Sequence, residues 1–336
     1  MSQPPFNVNN RIVNLVAEIH SKLGKLEITM ESRKDLFLRK ASKIKSANSS
    51  CAIEANSLSE QEVEAIVNGK RVTAPANEII EVQNAYETYT KIAEYRPFEV
   101  ESFLSAHECL MKGLIADAGI FRSGDVAVYE NSMVIHIGAR PEYVNGLIGD
   151  LFSWAKRSDT NPLILACVVH YEIETIHPFS DGNGRIGRLW QSVNLCNYNK
   201  LFEFIPTETL VYEHQQEYYD AIEKSRKIND SGAFIEYMLE MIAKAIDTID
   251  SNTKLQGWIK LEYTKDLTKK DQEILGIILS DFSPNETITM EKLAGKINKA
   301  APSIRIYLKK FTQFNILISE GENKGRRYKI NPDIFN

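Results

Sequence analysis

Along most of residues 6–250 the apolar positions recur at helical spacing, in stretches rich in Ala, Glu, Leu and Lys. Short punctuators break them at Asn68-Gly69, Arg96-Pro97 and Ser123-Gly124-Asp125. Ser57 and Ser59 each stand three residues before a glutamate, Glu60 and Glu62, which is capping-box spacing, so a short helix is predicted from there to Asn68-Gly69. Between Asp125 and Ile137 the period changes: Val126, Val128, Val134 and Ile135 surround Glu130-Asn131-Ser132, which predicts one β-hairpin inside a helical domain. From Pro162 the run Leu163 to Val169 is apolar on every side, and proline suits a first helical position, so a helix buried at the domain centre is expected.

Ser251-Asn252-Thr253 opens a change of composition that reads as a linker. Beyond it three helices are predicted: 269–280 with Ile274, Leu275, Ile278 and Leu279; 290–297 with Leu293 and Ile297; 302–314 with Ile304, Tyr307, Leu308 and Phe311. Ile316 to Ser319 and Arg327 to Ile330 then flank Gly321-Glu322-Asn323-Lys324-Gly325, a hairpin with a basic tip, and the order resembles a winged helix-turn-helix. The fold class expected is mainly α. The expected divisions are 1–95, a helical region; 96–250, a core; and 264–336, the winged helix-turn-helix.

Charge sharpens that division. The net charge of −5 hides 13 Lys/Arg against 9 Asp/Glu in residues 264–336, leaving 27 against 36 elsewhere; the tail is basic and the body acidic, which points to a different, anionic partner for the last segment. Four scattered cysteines (Cys51, Cys109, Cys167, Cys196) suggest neither a disulfide framework nor a zinc site. The start Met1-Ser2-Gln3-Pro4-Pro5-Phe6 lacks the basic, apolar pattern of a secretory signal, and no run is long enough to cross a bilayer; a cytoplasmic location without a membrane partner is expected.

The chemistry concentrates in His177-Pro178-Phe179-Ser180-Asp181-Gly182-Asn183-Gly184-Arg185-Ile186-Gly187-Arg188. Gly182, Asn183 and Gly184 allow successive N–H groups to face one concavity and bind phosphate oxygens, and the helix that follows adds its positive end. Arg185 and Arg188, three apart, can reach the same phosphates. Asp181 is an oxygen ligand suited to Mg2+ held jointly with phosphate, and His177 can take a proton from an attacking hydroxyl near neutral pH.

That stretch matches without gap or mismatch the signature HPFx(D/E)GNGRxxR, and on it the chain resembles the Fic family, over about residues 40–245. The resemblance implies a helical domain with a β-hairpin flap that transfers AMP from ATP to Ser, Thr or Tyr hydroxyls, although some members use other nucleotides or move phosphocholine or phosphate. It implies His177 as the base, Asp181 on Mg2+, Gly182 to Arg185 around the phosphates, Arg188 on the γ-phosphate, and a target protein aligned on the hairpin by strand addition. Ser50-Cys51-Ala52-Ile53-Glu54-Ala55-Asn56 resembles the family's inhibitory motif (S/T)xxxE(G/N), with Ala55 as the one departure. Ser50 and Glu54 share a helical face, so Glu54 can project toward Arg188 and withhold it from ATP. The family also allows Glu54 a part in removing AMP.

Tyr218 and Tyr219 resemble paired tyrosines bordering the nucleotide base, while Arg226 departs from an amide that relatives often carry nearby. Ser303, Arg305, Lys309 and Lys310 with Lys324, Arg326 and Arg327 make DNA a candidate partner of the winged helix, and a homodimer stays open. The expected function is therefore an autoinhibited protein adenylyltransferase that also modifies itself. The alternatives are a DNA-binding regulator with a nucleotide-sensing Fic domain and a transferase using another donor.

Overall fold

The computed structural model describes residues 3–30, 36–130, 133–258, 267–282, 286–297, 301–321 and 326–331. The chain divides into two units, Met1–Asp247 and Thr248–Asn336, each with its own packing.

In the first unit, α1 (Asn10–Met30) buries Ile12, Leu15, Ile19, Leu23 and Leu26, an i, i+3/i+4 stripe. It lies along α11 (Gly232–Trp258), where Arg11 pairs with Glu240 and Lys22 with Asp247. Helix α2 (Leu36–Ile53) is different, because small hydroxyls share its buried side with Ile44, Ala47 and Cys51. Each hydroxyl finds a partner: Ser42 donates to Phe204 O (2.8 Å), Ser46 to Glu208 (2.7 Å) and Ser49 to Thr209 (3.2 Å). Short α3 (Glu60–Val67) is capped by Ser59 and Glu62 as a reciprocal box, while Ser57 hydrogen-bonds Glu78 instead.

Helices α4 (Ala76–Thr90) and α5 (Val100–Met111) pack on one another, and a hairpin of β1 (Ala127–Glu130) and β2 (Met133–Ile137) follows, antiparallel with Ala127 opposite Ile137 and a bulge after Val128. The expected turn residues Asn131 and Ser132 lie outside the described residues. Helix α6 (Pro141–Arg157) leads to α7 (Pro162–Ile176), which is buried along nearly its whole length and packs most extensively on α8 (Asn183–Tyr198). Beneath their junction Phe103, Phe152, Phe179 and Trp190 form an aromatic cluster with centroids 5.0–5.9 Å apart, and Trp190 donates its indole N–H to Pro97 O. A 3-10 turn (Lys200–Phe204), α9 (Thr207–Glu213) and α10 (Gln215–Ile228) close the unit.

Ser251-Asn252-Thr253, expected as a linker, is helical and part of α11, which runs on to Trp258, while the division between the two units falls close by, after Asp247. No proline interrupts the segment and the first glycine is Gly257, so nothing local stops propagation. In the second unit α12 (Lys269–Asp281), capped by Thr268 and Asp271, packs with α13 (Met290–Ile297) and α14 (Ala301–Gln313). Strands β3 (Leu317–Glu320) and β4 (Arg327–Ile330) pair antiparallel, and Ile288 adds a bridge to Tyr328. Ile274, Leu275, Ile278, Leu293, Ile304, Leu308 and Phe311 lie in its core. The expected basic tip, Lys324 included, lies outside the described residues.

Candidate functional site

The site forms where α7 ends and α8 begins. His177 is the C-cap of α7, with its amide donating to Ile173 O (2.9 Å) and a left-handed backbone, φ 55°. A non-glycine residue there costs about 1–2 kcal/mol, so its neighbours must hold it. His177 Nδ1 sits 3.4 Å from Glu174 O. Protonation at Nδ1 satisfies that contact and leaves the Nε2 lone pair to accept a proton.

The loop after it is pinned from within. Asn183 Oδ1 accepts from the Phe179 amide and Asn183 Nδ2 donates to Phe179 O, both at 2.9 Å, so this side chain shapes the loop and only its backbone faces a ligand. His107 lies flat on Phe179, 3.5 Å between centroids, accepts from Gly119 N at Nδ1 (2.9 Å) and meets Asp181 O at Nε2 (2.9 Å). These partners require the Nε2–H tautomer, and burial pushes the ring down to about 4, so it is neutral. Gly182 is left-handed, φ 82°, and an added methyl would strike Met111 Sδ at 2.6 Å; no other residue fits. The first-turn amides of α8 then have no intrahelical partner and carry the helix's positive end.

A carboxylate already occupies that end. Helix α2 stops at Ile53, and Glu54 in the turn beyond it receives Arg188 Nη2 at 2.7 Å. Arg188, 3% exposed, also donates to Ser50 Oγ (3.2 Å) and Ser50 O (3.0 Å). Burial works against its charge, but Glu54, Tyr218 and Glu174 outweigh it and hold the guanidinium protonated. A methyl on Gly184 would come 2.5 Å from Glu54 Oε1, so the carboxylate rests directly on the first turn of α8. The inhibitory-type segment is thus a helix end rather than a helix face, and Ala55 is left-handed, φ 68°.

Arg185 faces elsewhere. Its Nη1 pairs with Glu81 (2.5 Å), which also receives Asn56 Nδ2 (2.7 Å), and its Nη2 with Asp181 (3.1 Å). The guanidinium expected on phosphate is neutralised by two carboxylates, because α4 brings Glu81 alongside it; the backbone N–H of Arg185 keeps its place in the first turn of α8. Asp181, 59% exposed at its side chain, uses Oδ1 for Gly182 N and Arg185, which leaves Oδ2 for a cation. Among the described residues no three His, Cys, Asp or Glu gather as a metal cage. One free carboxylate oxygen beside a helix N-terminus is a donor set that would fit Mg2+ only if phosphate and water completed it.

Tyr218 is 1% exposed; its hydroxyl reaches His170 Nε2 (3.1 Å) and Glu174 (3.4 Å). Tyr219 keeps an accessible face, 45% exposed, and accepts from Gln215. Of the pair, only Tyr219 can border a base directly. Several residues escaped the sequence: Arg122, which donates to His177 O (2.7 Å); His136, whose Nε2 donates to Thr175 O (2.8 Å) and whose ring lies 6.1 Å from His177; and Glu174 beside Arg188. Burial, with the charges of Arg226 and His177, drives His136 down to about 4. These act on backbone groups 39 to 74 residues away in His107, His136 and Arg122, and no local pattern marks such pairs.

A left-handed histidine thus stands just before the N-terminus of α8, and the Glu54 carboxylate from the turn after α2 covers that N-terminus. Residues 97–195 match the model of the Fic/DOC family. The chain is 30% identical to a Fic family protein from Desulfovibrio desulfuricans G20 whose crystal structure superposes with a TM-score of 0.73, over 98% of both chains. It is 26% identical over 259 residues to "Protein adenylyltransferase fic-1" of Caenorhabditis briggsae (73% of this chain, 45% of that protein) and 28% over 255 residues to its Caenorhabditis elegans namesake (72% and 45%). This chain belongs to the Fic family. It spans about half the length of the curated relatives it matches. No helix among the described residues is long and apolar enough to cross a membrane.

Proposed function

We propose that the protein transfers AMP from ATP to protein hydroxyls and is held off by Glu54. The observation that carries this is the Glu54 carboxylate on Arg188 and Gly184, an anion from the chain's own helix where a triphosphate terminus would lie. Relatives named protein adenylyltransferases support the choice of AMP.

When Glu54 withdraws, the first-turn amides of α8 and Arg188 receive phosphate oxygens. His177 Nε2 takes the proton of the target hydroxyl as the new O–P bond forms at the α-phosphate; the bond to the β-phosphate breaks and pyrophosphate leaves with the electron pair. Mg2+ on Asp181 would neutralise charge building on the phosphates. Tyr219 borders the base, and Tyr218 steadies Glu174 behind it. The β1–β2 ribbon offers a strand edge on which a target segment can align.

Intact-mass measurement of Glu54→Gly after incubation with ATP and Mg2+ tests this. Adenylyl additions are expected, and none when His177→Ala is added. A different added group would replace AMP as the cargo, and no addition to the chain or to offered proteins would remove the reading.

A second reading concerns the unit after Thr248. Three helices, an Ile288 bridge and a ribbon fit a winged helix-turn-helix, and α14 contains no acidic residue while exposing Arg305, Ile306 and Lys309 on one side. Arg326 and Arg327 are exposed beside it in sequence order, whereas Lys310 is spent on Asp271. That surface suits duplex DNA. Binding of the full chain to a short random duplex should fall steeply with salt, and Arg305→Glu with Lys309→Glu should lower the log–log slope by about 2. No binding at low salt would overturn it.

A further inference from the structure

Arg122 is 4% exposed, yet among the described residues no carboxylate lies within salt-bridge distance of its guanidinium. Instead it is spent on backbone carbonyls: Nε donates to His177 O at 2.7 Å, Nη1 to Gly124 O at 2.7 Å, and Nη2 to Ala139 O, with Ile176 O 3.4 Å away. Its own amide donates to Pro178 O (3.1 Å). Burial disfavours its charge, offset only in part by Asp125. A buried cation serving carbonyls alone is costly, and it is retained where the position of those carbonyls matters.

The carbonyls come from two places. Ile176, His177 and Pro178 form the turn that carries the imidazole; Gly124 and Ala139 flank the β1–β2 hairpin at its base. Ala139 N also donates to Ile176 O (3.1 Å), and Gly138 lies so close that an added methyl would stand 3.1 Å from His177 Cβ and 2.7 Å from Arg122 Nη2. The hairpin base and the His177 turn are therefore joined by this guanidinium in addition to two backbone hydrogen bonds.

We propose that Arg122 is a positioning residue that holds His177 in its left-handed conformation and couples the imidazole to the hairpin on which a target would dock. The functional half of this rests on the AMP-transfer reading; the structural half does not. Lysine gathers its donors on one nitrogen, so it does not reproduce the planar fork by which Nε, Nη1 and Nη2 reach carbonyls on two segments.

The test uses the full chain with Glu54→Gly as parent, compared with Arg122→Lys, Arg122→Gln and Gly138→Ala. Acylation of His177 by diethyl pyrocarbonate, followed by mass spectrometry, is expected to change by about fivefold or more in each variant, since about 1 kcal/mol of lost restraint is a factor of that size. In the transfer assay kcat is expected to fall about 100-fold, as for a reacting group displaced by about 1 Å, with KM for ATP nearly unchanged. Arg122→Lys is expected to remain folded and not to rescue kcat. An unchanged His177 labelling rate in folded Arg122→Lys would overturn the proposal, as would equal losses of ATP affinity and kcat. If the parent transfers nothing, the AMP reading fails and the labelling rates still decide the role of Arg122.

Discussion

The hydroxyl of Ser46 on α2 lies 2.7 Å from Glu208 Oε2, a carboxylate only 3% exposed at the start of α9. Tyr89 from α4 (3.0 Å) and Ser192 from α8 (2.6 Å) donate to its other oxygen. One buried carboxylate thus ties the helix that leads into Glu54 to the helix whose first turn Glu54 covers. Glu208→Ala leaves three hydroxyls without their acceptor and should cost about 2–4 kcal/mol in denaturant unfolding of this unit. It should also raise basal transfer, because α2 loses its anchor. Glu208→Gln, which keeps one acceptor oxygen, should lose less on both counts; a stable Ala variant with unchanged transfer would separate Glu208 from the restraint.

Ala55 occupies a left-handed position one residue past Glu54, where glycine or asparagine would sit without penalty. Ala55→Gly should therefore stabilise the fold by about 1 kcal/mol, which is roughly 2–4 °C in the melting midpoint of a unit this size. With the turn relaxed, Glu54 should hold Arg188 better and residual transfer should drop. A lower midpoint would mean the turn gains from the alanine methyl something its backbone angles do not reveal.

His107 is neutral in the folded protein, pushed down to about 4 from an ordinary value near 6.5. A depressed imidazole contributes stability that is present above the unfolded value and lost as pH falls from 6.5 toward 4, because the unfolded chain binds the proton and the folded one does not. The full effect is about 3 kcal/mol. His136 behaves alike, so two protons are taken up on unfolding in that window. His107→Gln should reduce the slope of stability against pH by about 1.4 kcal/mol per pH unit there; an unchanged slope would place the proton elsewhere.

The large elements were legible because their signals are local. Pro162 and the apolar run after it mark α7, the Ser59–Glu62 spacing marks α3, and the change of period at Val126 marks the hairpin. Residues 177–188 were legible as chemistry because glycines, cations and a histidine fall in one short loop. What they do with their side chains was less so: Arg185 turned to Glu81, and Asn183 turned back on Phe179, since both choices depend on what other helices bring near. Arg122 carries no local signal in the sequence, and its acceptors are set by tertiary placement alone. At Ser251 the composition marked the neighbourhood of the division between units but not its helical conformation, because polar residues tolerate a helix that no proline breaks.

On the proposed reading, Glu54 stands where ATP would bind. Removing its carboxylate frees a charge-assisted bond of about 1.5–3 kcal/mol on Arg188 and uncovers the first turn of α8. Calorimetric titration of ATP with Mg2+ into Glu54→Gly should give at least about tenfold tighter binding than the unaltered chain, a gain abolished by adding Arg188→Ala. Equal affinities with and without the Glu54 carboxylate would contradict the account.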